Sequence, residues 1–343
     1  MAREGFVGGW PGWMLAALYA RGVALARTRA LRRPPVRPDV PVISIGNLAV
    51  GGTGKTPFTI HAAGRLLAGG ARVEIVARPV GGAVPGAAGD EIRVLEERLP
   101  GVRVHAAREK SLGALAAARV LAAGGRGPAA VLVDDGFSHW ALARDLDVVL
   151  VDLARPLGNG HLLPLGLLRE PPTALARAHV IVGTRADRVP LAERDEVLGA
   201  LARLAPAAHL ATSALAPRGL RSEGGLGRPL AAEAGQRVVC LSGLARAGEL
   251  AGSASRLGLA VEEDLSYADH HRFSDAEWHS AEAAAARTGA LLLVSHKDAV
   301  RLPAEKRAKT VVLEVDWQWL SGGDEVERRL IETARGTAGG RAA

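Results

Sequence analysis

Residues 49–56 read A-V-G-G-T-G-K-T and follow closely on the apolar run 40–45. That order constrains the fold more than anything else in the chain. A buried strand that runs into a glycine-rich turn and then Gly-Lys-Thr is the layout of a phosphate-binding P-loop. Its glycines let backbone N–H groups curl around the β- and γ-phosphates of a nucleotide without Cβ clashes. Ala49, Val50, Gly51, Gly52, Thr53 and Gly54 would line the cradle. Lys55 would reach the phosphate oxygens, and Thr56 would place its hydroxyl on Mg²⁺. The helix that follows would aim its N-terminal dipole at the same phosphates. The strict pattern has glycine where Ala49 stands, a position that tolerates a small residue. A glycine-rich turn that binds nothing is the plain alternative. The strand before, the helix after and a later acidic strand end weigh against it.

Beyond the loop, apolar runs alternate with helical stretches. Runs 72–77, 102–105, 129–133, 148–152 and 180–183 are β-branched and continuous, which predicts a parallel sheet covered by helices on both faces. The expected fold class is therefore α/β: a P-loop NTPase-like parallel sheet domain over 39–205 and a smaller C-terminal α/β domain over 206–335. Residues 206–236, rich in Pro and Gly, are expected to be loop and to hold the domain junction. In the second domain 238–241, 259–262, 291–294 and 311–315 read as strands. Ser274 and Glu277 have the spacing of a capping box, and 325–333 reads as a closing helix. A glycine-rich loop is expected at 81–89, and a disordered tail at 336–343. Cys240, the one cysteine, excludes an intramolecular disulfide and reads as a buried core residue.

The net charge of +7 is unevenly placed. Arg21, Arg27, Arg29, Arg32, Arg33 and Arg37 fall between Gly5 and Pro38, a stretch without Asp or Glu. A nucleic-acid binder would carry its basic stripe on the folded body, so no nucleic-acid partner is expected. The same arm, 1–38, carries Trp10, Trp13, Met14, Leu15, Leu18, Tyr19, Val23 and Leu25. Arg21 ends its apolar run well short of the ~20 residues that a spanning helix needs. Two readings stay open from composition: a helix lying in a membrane interface with its arginines toward anionic lipid, or a helix packed on the body. The sequence sets no oligomeric state.

Residues 129–135 read A-A-V-L-V-D-D, a buried strand ending in Asp134 and Asp135. Beside a P-loop such a pair completes Mg²⁺ coordination, directly or through water. The pair continues as D-D-G-F-S-H (134–139). With P-V-I-S-I-G-N-L-A-V-G-G-T-G-K-T-P (41–57), G-D-E (89–91), R-D-L-D-V-V-L-V-D (144–152), G-N-G-H-L-L-P-L-G-L-L-R-E-P (158–171), D-H-H-R-F (269–273) and K-D-A-V-R-L (297–302), the ordered set resembles the tetraacyldisaccharide 4'-kinase family of Gram-negative bacteria. The resemblance implies a P-loop kinase using ATP and Mg²⁺. Its acceptor would be the 4'-hydroxyl of a tetraacylated glucosamine disaccharide 1-phosphate, a lipid A precursor. It also implies an enzyme held at the cytoplasmic face of the inner membrane by its N-terminal helix.

Carried onto this chain, the resemblance gives Lys55 and Thr56 the phosphate and metal. It gives Asp134 and Asp135 the metal and phosphate, and Asp90 and His270 a proton-abstracting dyad. Asn159, Arg169 and Glu170 fall to the substrate. With the domain boundaries above, Asp90 and His270 lie in different domains. Neither would stand out by spacing alone. The chain departs from the family's usual pattern at Pro79, Val80, Ser138, Trp140 and His296, which implies altered nucleotide and acceptor contacts. Two other classes remain. A P-loop ATPase or GTPase of metallochaperone or partitioning type is disfavoured by Val50, where partitioning ATPases carry a second lysine. Thr184-Arg185-Ala186-Asp187 lacks the leading Asn and Lys of a guanine-reading motif and reads as a strand end and helix cap. A non-catalytic membrane-peripheral relative is disfavoured by Lys55, Asp90, Asp134 and His270.

Overall fold

The computed structural model describes residues 9–79, 89–222, 229–230 and 233–336. The loop expected at 81–89, apart from Gly89, the departure at Val80 and the tail from 337 lie outside the described residues. In chain order the elements are α1 (Gly9–Leu31), β1 (Val42–Gly46), α2 (Lys55–Ala68), β2 (Arg72–Ala77), α3 (Asp90–Arg98), β3 (Val104–Ala106), α4 (Lys110–Ala123) and β4 (Ala129–Asp134). Then come β5 (Leu146–Asp152), β6 (Val180–Thr184), α5 (Leu191–Leu204), β7 (His209–Ser222), β8 (Pro229–Leu230), β9 (Arg237–Ser242), α6 (Glu249–Arg256) and β10 (Ala260–Ser266). The chain closes with α7 (Asp275–Thr288), β11 (Leu291–Ser295), α8 (His296–Ala299), α9 (Ala304–Arg307), β12 (Val311–Ser321) and α10 (Gly323–Ala334).

Two compact units result: Met1–Pro79, Leu95–Ala214 and Trp319–Ala343 form one, Val80–Val94 and Leu215–Gln318 the other. In the first unit the strands run in the order β3-β2-β4-β1-β5-β6-β7, every pairing parallel. All residues of β1, β4, β5 and β6 are buried, which explains runs without alternation: both faces are covered. Ala114, Ala117 and Leu121 of α4 pack on Val42, Val131 and Val133. Val149, Val151 and Ile181 pack with Leu175 and Leu201. The strand order reverses at β1, between β4 and β5, and the crevice beyond such a switch point is where ligands bind in open α/β sheets.

In the second unit β10-β9-β11-β12 form a parallel set, and β8 runs antiparallel to the end of β7. Trp278, Ala281 and Ala284 of α7 pack on Val239, Leu241 and Val294. Leu250 and Ala254 of α6 pack with Val238, Cys240 and Leu293. The capping box at Ser274 and Glu277 forms as expected. Cys240 is fully buried, and burial pushes its thiol up to about 12.

Three sequence expectations are corrected. Residues 206–236 are not a loop, since β7 occupies 14 of them. Pro217 and Gly219 stand between two stretches that pair with different partners, 209–212 with β6 and 220–221 with β8, so composition hid the strand. The closing helix α10 belongs to the first unit, not to the C-terminal domain. Glu327 meets His61 at 3.1 Å and Arg65 at 2.7 Å, both on α2, and accepts from Trp319 Nε1 at 3.0 Å. Asp90 groups with the second unit, together with His270, because its carboxylate partners come from there.

Candidate active site

The cradle begins where β1 ends. Gly46 cannot be replaced there, because a Cβ would sit 2.5 Å from that of Phe137. Val50 N donates to Leu167 O at 2.8 Å and Arg169 N to Leu48 O at 2.9 Å, so segment 167–169 braces the start of the loop. Asn47 donates to Ala49 O at 2.6 Å and accepts from Lys55 Nζ at 3.2 Å. Gly54 takes a left-handed φ of 88° immediately before α2, and no side chain caps that helix, whose first turn holds no acid. Its first N–H groups are therefore left for an anionic ligand, with the helix dipole behind them. Thr56 lies in that first turn, partly buried.

Facing the cradle within the same unit is the acid pair at the end of β4, hydrogen-bonded in register beside β1. Asp134 is buried. Asp135 is left-handed at φ 54°, which turns its carboxylate toward Arg169 Nη1, at 2.8 and 2.7 Å from its two oxygens. Lys55 Nζ lies 3.9 Å away. Burial raises the Asp135 carboxyl, but Lys55, Arg169 and Lys110 outweigh it and hold the group below the usual carboxylate range. Lys110 is itself buried and donates to the main-chain carbonyls of Asp134 and Asp135. Burial lowers its ammonium below the ordinary lysine value, against the pull of the two aspartates.

In the second unit Asp90 opens α3 and is buried. Its Oδ2 lies 3.3 Å from His270 Nδ1 and 2.7 Å from Arg301 Nε. The latter is a charge contact rather than a directed hydrogen bond, since Nε is not aimed at an acceptor. Arg301 Nη1 donates to His271 O at 3.1 Å and pairs with Asp298 at 3.4 Å. Asp298 is fully buried. Burial raises its carboxyl against Ser295 and Arg301, which favour the charge. A carboxylate orienting an imidazole is the arrangement that lets histidine take a proton from an alcohol near neutral pH. The dyad that the resemblance implied is assembled, within one unit.

The family described as tetraacyldisaccharide-1-P 4'-kinase matches residues 9–335. The chain belongs to that family. A tetraacyldisaccharide 4'-kinase of Anaeromyxobacter dehalogenans is 42% identical over 336 residues, covering 92% of this chain and 85% of its own. One of Paramagnetospirillum magneticum is 36% identical over 321 residues, covering 89% of each. Among solved structures, the "apo" form of LpxK from Aquifex aeolicus in complex with ATP superposes with a TM-score of 0.69 at 23% identity. It covers 94% of this chain and 98% of that one, and the likeness shows a shared fold. The protein is accordingly an ATP-dependent phosphotransferase with an alcohol acceptor, a tetraacyldisaccharide 4'-kinase of lipid A biosynthesis.

Against that family the three substrate expectations occupy different positions. Arg169 is partly exposed, its guanidinium on Asp135. Glu170 is buried, accepting from Ser138 Oγ at 2.6 Å and from Arg177 Nη2 at 3.1 and 3.0 Å; Arg177 also lies over the Phe137 ring. The departure to Ser138 thus falls on Glu170. Asn159 ties its own loop, donating to Leu165 O at 3.1 Å and accepting from His161 N at 3.2 Å. Sequence reasoning missed Arg185. It follows β6 in a left-handed conformation, with Nη1 2.8 Å from both Gly52 O and Asp152 Oδ2. The strand end and helix cap read at 184–187 form as expected, and this arginine also clamps the P-loop. Its one local signal was a cation at the C-terminal end of a strand neighbouring β5.

Proposed function

We propose that Lys55 and the backbone of 49–54 hold the ATP phosphates while His270, oriented by Asp90, takes the proton of the acceptor's 4'-hydroxyl. The observation that carries this reading is the contact of His270 Nδ1 with Asp90. A sugar hydroxyl is a poor nucleophile, and a positioned imidazole removes its proton as the bond to phosphorus forms. Asp90 then stabilises the imidazolium. The nucleotide is supported by the uncapped start of α2 and by the ATP complex of the Aquifex aeolicus protein.

Thr56, Asp134 and Asp135 would hold Mg²⁺. A hydroxyl and two carboxylates are the hard oxygen donors that this ion selects. Bound there, Mg²⁺ would neutralise charge on the β- and γ-phosphates. Arg169, braced against the loop through its own N–H, would meet the acceptor's anionic headgroup. Glu170 and Asn159 would fix the segment that carries it.

The arm α1 supports a membrane-surface role. Ala16 is buried against the body and Tyr19 Oη donates to Arg169 O at 3.3 Å, while Trp13, Met14, Leu15, Leu18 and Leu25 are exposed. Among the described residues no helix is long and apolar enough to cross a membrane. An apolar exposed face with arginines suits the cytoplasmic surface of the inner membrane.

Radiolabelled ATP, mixed in detergent micelles with a tetraacyl disaccharide 1-phosphate, should label the lipid, and a chelator should stop it. Hydrolysis to free phosphate with unlabelled lipid would contradict the assignment. Removing residues 1–33 should move the protein off anionic liposomes. Equal partitioning of both forms would make the arm structural.

A further inference from the structure

His270 is one of four non-glycine residues with positive φ among the described residues, at 62°, and its amide donates to Gly243 O at 3.2 Å. That backbone sets the ring between Asp90 of α3 and Lys297 of α8. Nδ1 lies 3.3 Å from Asp90 Oδ2, and Nε2 lies 3.1 Å from Lys297 Nζ. Lys297 is itself held by Asp269 Oδ1 at 3.2 Å, whose other oxygen is 3.8 Å from Nε2.

An ammonium group only donates. Nε2 must therefore accept from Lys297, which leaves the ring proton on Nδ1, pointing at Asp90. The opposite tautomer would set the Nδ1 lone pair against a carboxylate and an Nε2–H against an ammonium. Both contacts would then be repulsive at hydrogen-bond distance. Asp90 alone favours the Nδ1–H form from one side, and Lys297 enforces it from the other.

We propose that Lys297 is a positioning residue that holds His270 in the Nδ1–H tautomer, with the Nε2 lone pair presented to the acceptor. The acceptor's hydroxyl takes the place of the ammonium on Nε2 when it docks, and its proton passes to that nitrogen. The inference rests on His270 being the base, and it adds a residue to which neither composition nor spacing gave a role.

The test uses the full-length protein in detergent micelles with ¹⁵N-labelled histidine. In the wild type the His270 nitrogen shifts should report an Nδ1–H tautomer. In Lys297→Met a substantial Nε2–H population should appear, and kcat should fall roughly tenfold, as expected for a base presented only part of the time, with the KM for ATP unchanged. Lys297→Arg, which keeps the donors, should restore most of both. A Lys297→Met protein that keeps the Nδ1–H tautomer overturns the proposal even if its activity falls. His270→Ala at wild-type turnover would instead overturn the base reading, and the tautomer comparison would still decide the role of Lys297.

Discussion

The P-loop and the His270 cluster are built in opposite ways. In the loop, the contacts that shape the cradle are local: Asn47 reaches Ala49, and Lys55 reaches back to Asn47. Around His270 they join residues far apart in sequence, Asp90 to His270 across 180 positions and Arg93 to Val300 across 207. The first site is a backbone conformation, so its glycines and its lysine must be contiguous. The second is a set of side chains, and any topology that brings α3 beside α8 can assemble it. Removing a side chain should therefore have different consequences in the two places.

The largest effect on turnover with the least effect on stability is expected in the loop. Lys55→Ala removes a charge that acts on phosphate, which costs on the order of 3 kcal/mol in the transition state, roughly a hundredfold or more in kcat. Its unfolding midpoint should stay near that of the wild type in urea. A variant within a few-fold of wild-type turnover would remove Lys55 from the cradle.

In the second unit site and stability coincide. Arg301 is buried against Asp90 and Asp298, and stripping a buried carboxylate of its partner typically costs about 3 kcal/mol. Arg301→Met should lose activity and shift the urea midpoint of the unit strongly downward. An unshifted midpoint would show that the dyad does not depend on this scaffold, and the contrast with Lys55 would disappear.

The smallest effect belongs to the seam of α2 and α10. Burial lowers the His61 imidazole below its ordinary value, although Glu327 pulls the other way. The unfolded chain then binds a proton before the folded one, so stability is complete above the ordinary imidazole range and declines as pH falls through it. A slight loss in thermal midpoint on acidification, absent in His61→Gln, is expected. A gain on acidification would mean that Glu327 dominates.

Legibility followed the same division. The order strand, loop, helix was readable because buried parallel strands leave continuous apolar runs, as at 129–134, and because Gly54 must be left-handed before Lys55. Strand β7 was hidden because Pro217 and Gly219 mimic a loop, and the return of α10 to α2 depends on Glu327 finding His61 and Arg65, a pairing no local pattern announces. Asp90 and His270 were visible only through a family resemblance, which also placed them in separate domains. Arg185 and Lys297 had no local signal of their roles, since their partners are a loop carbonyl and a ring nitrogen elsewhere in the chain.

The central claim is that Asp90 and His270, assembled across that distance, act as one base. The most direct measurement is a double-mutant cycle on kcat with saturating ATP. Asp90→Ala and His270→Ala should each lower kcat by roughly a hundredfold or more, with little change in the KM for ATP. The double variant should be scarcely slower than the slower single one, because the two lose the same function. Losses that multiply in the double variant would mean that the two residues work independently, and would contradict the account.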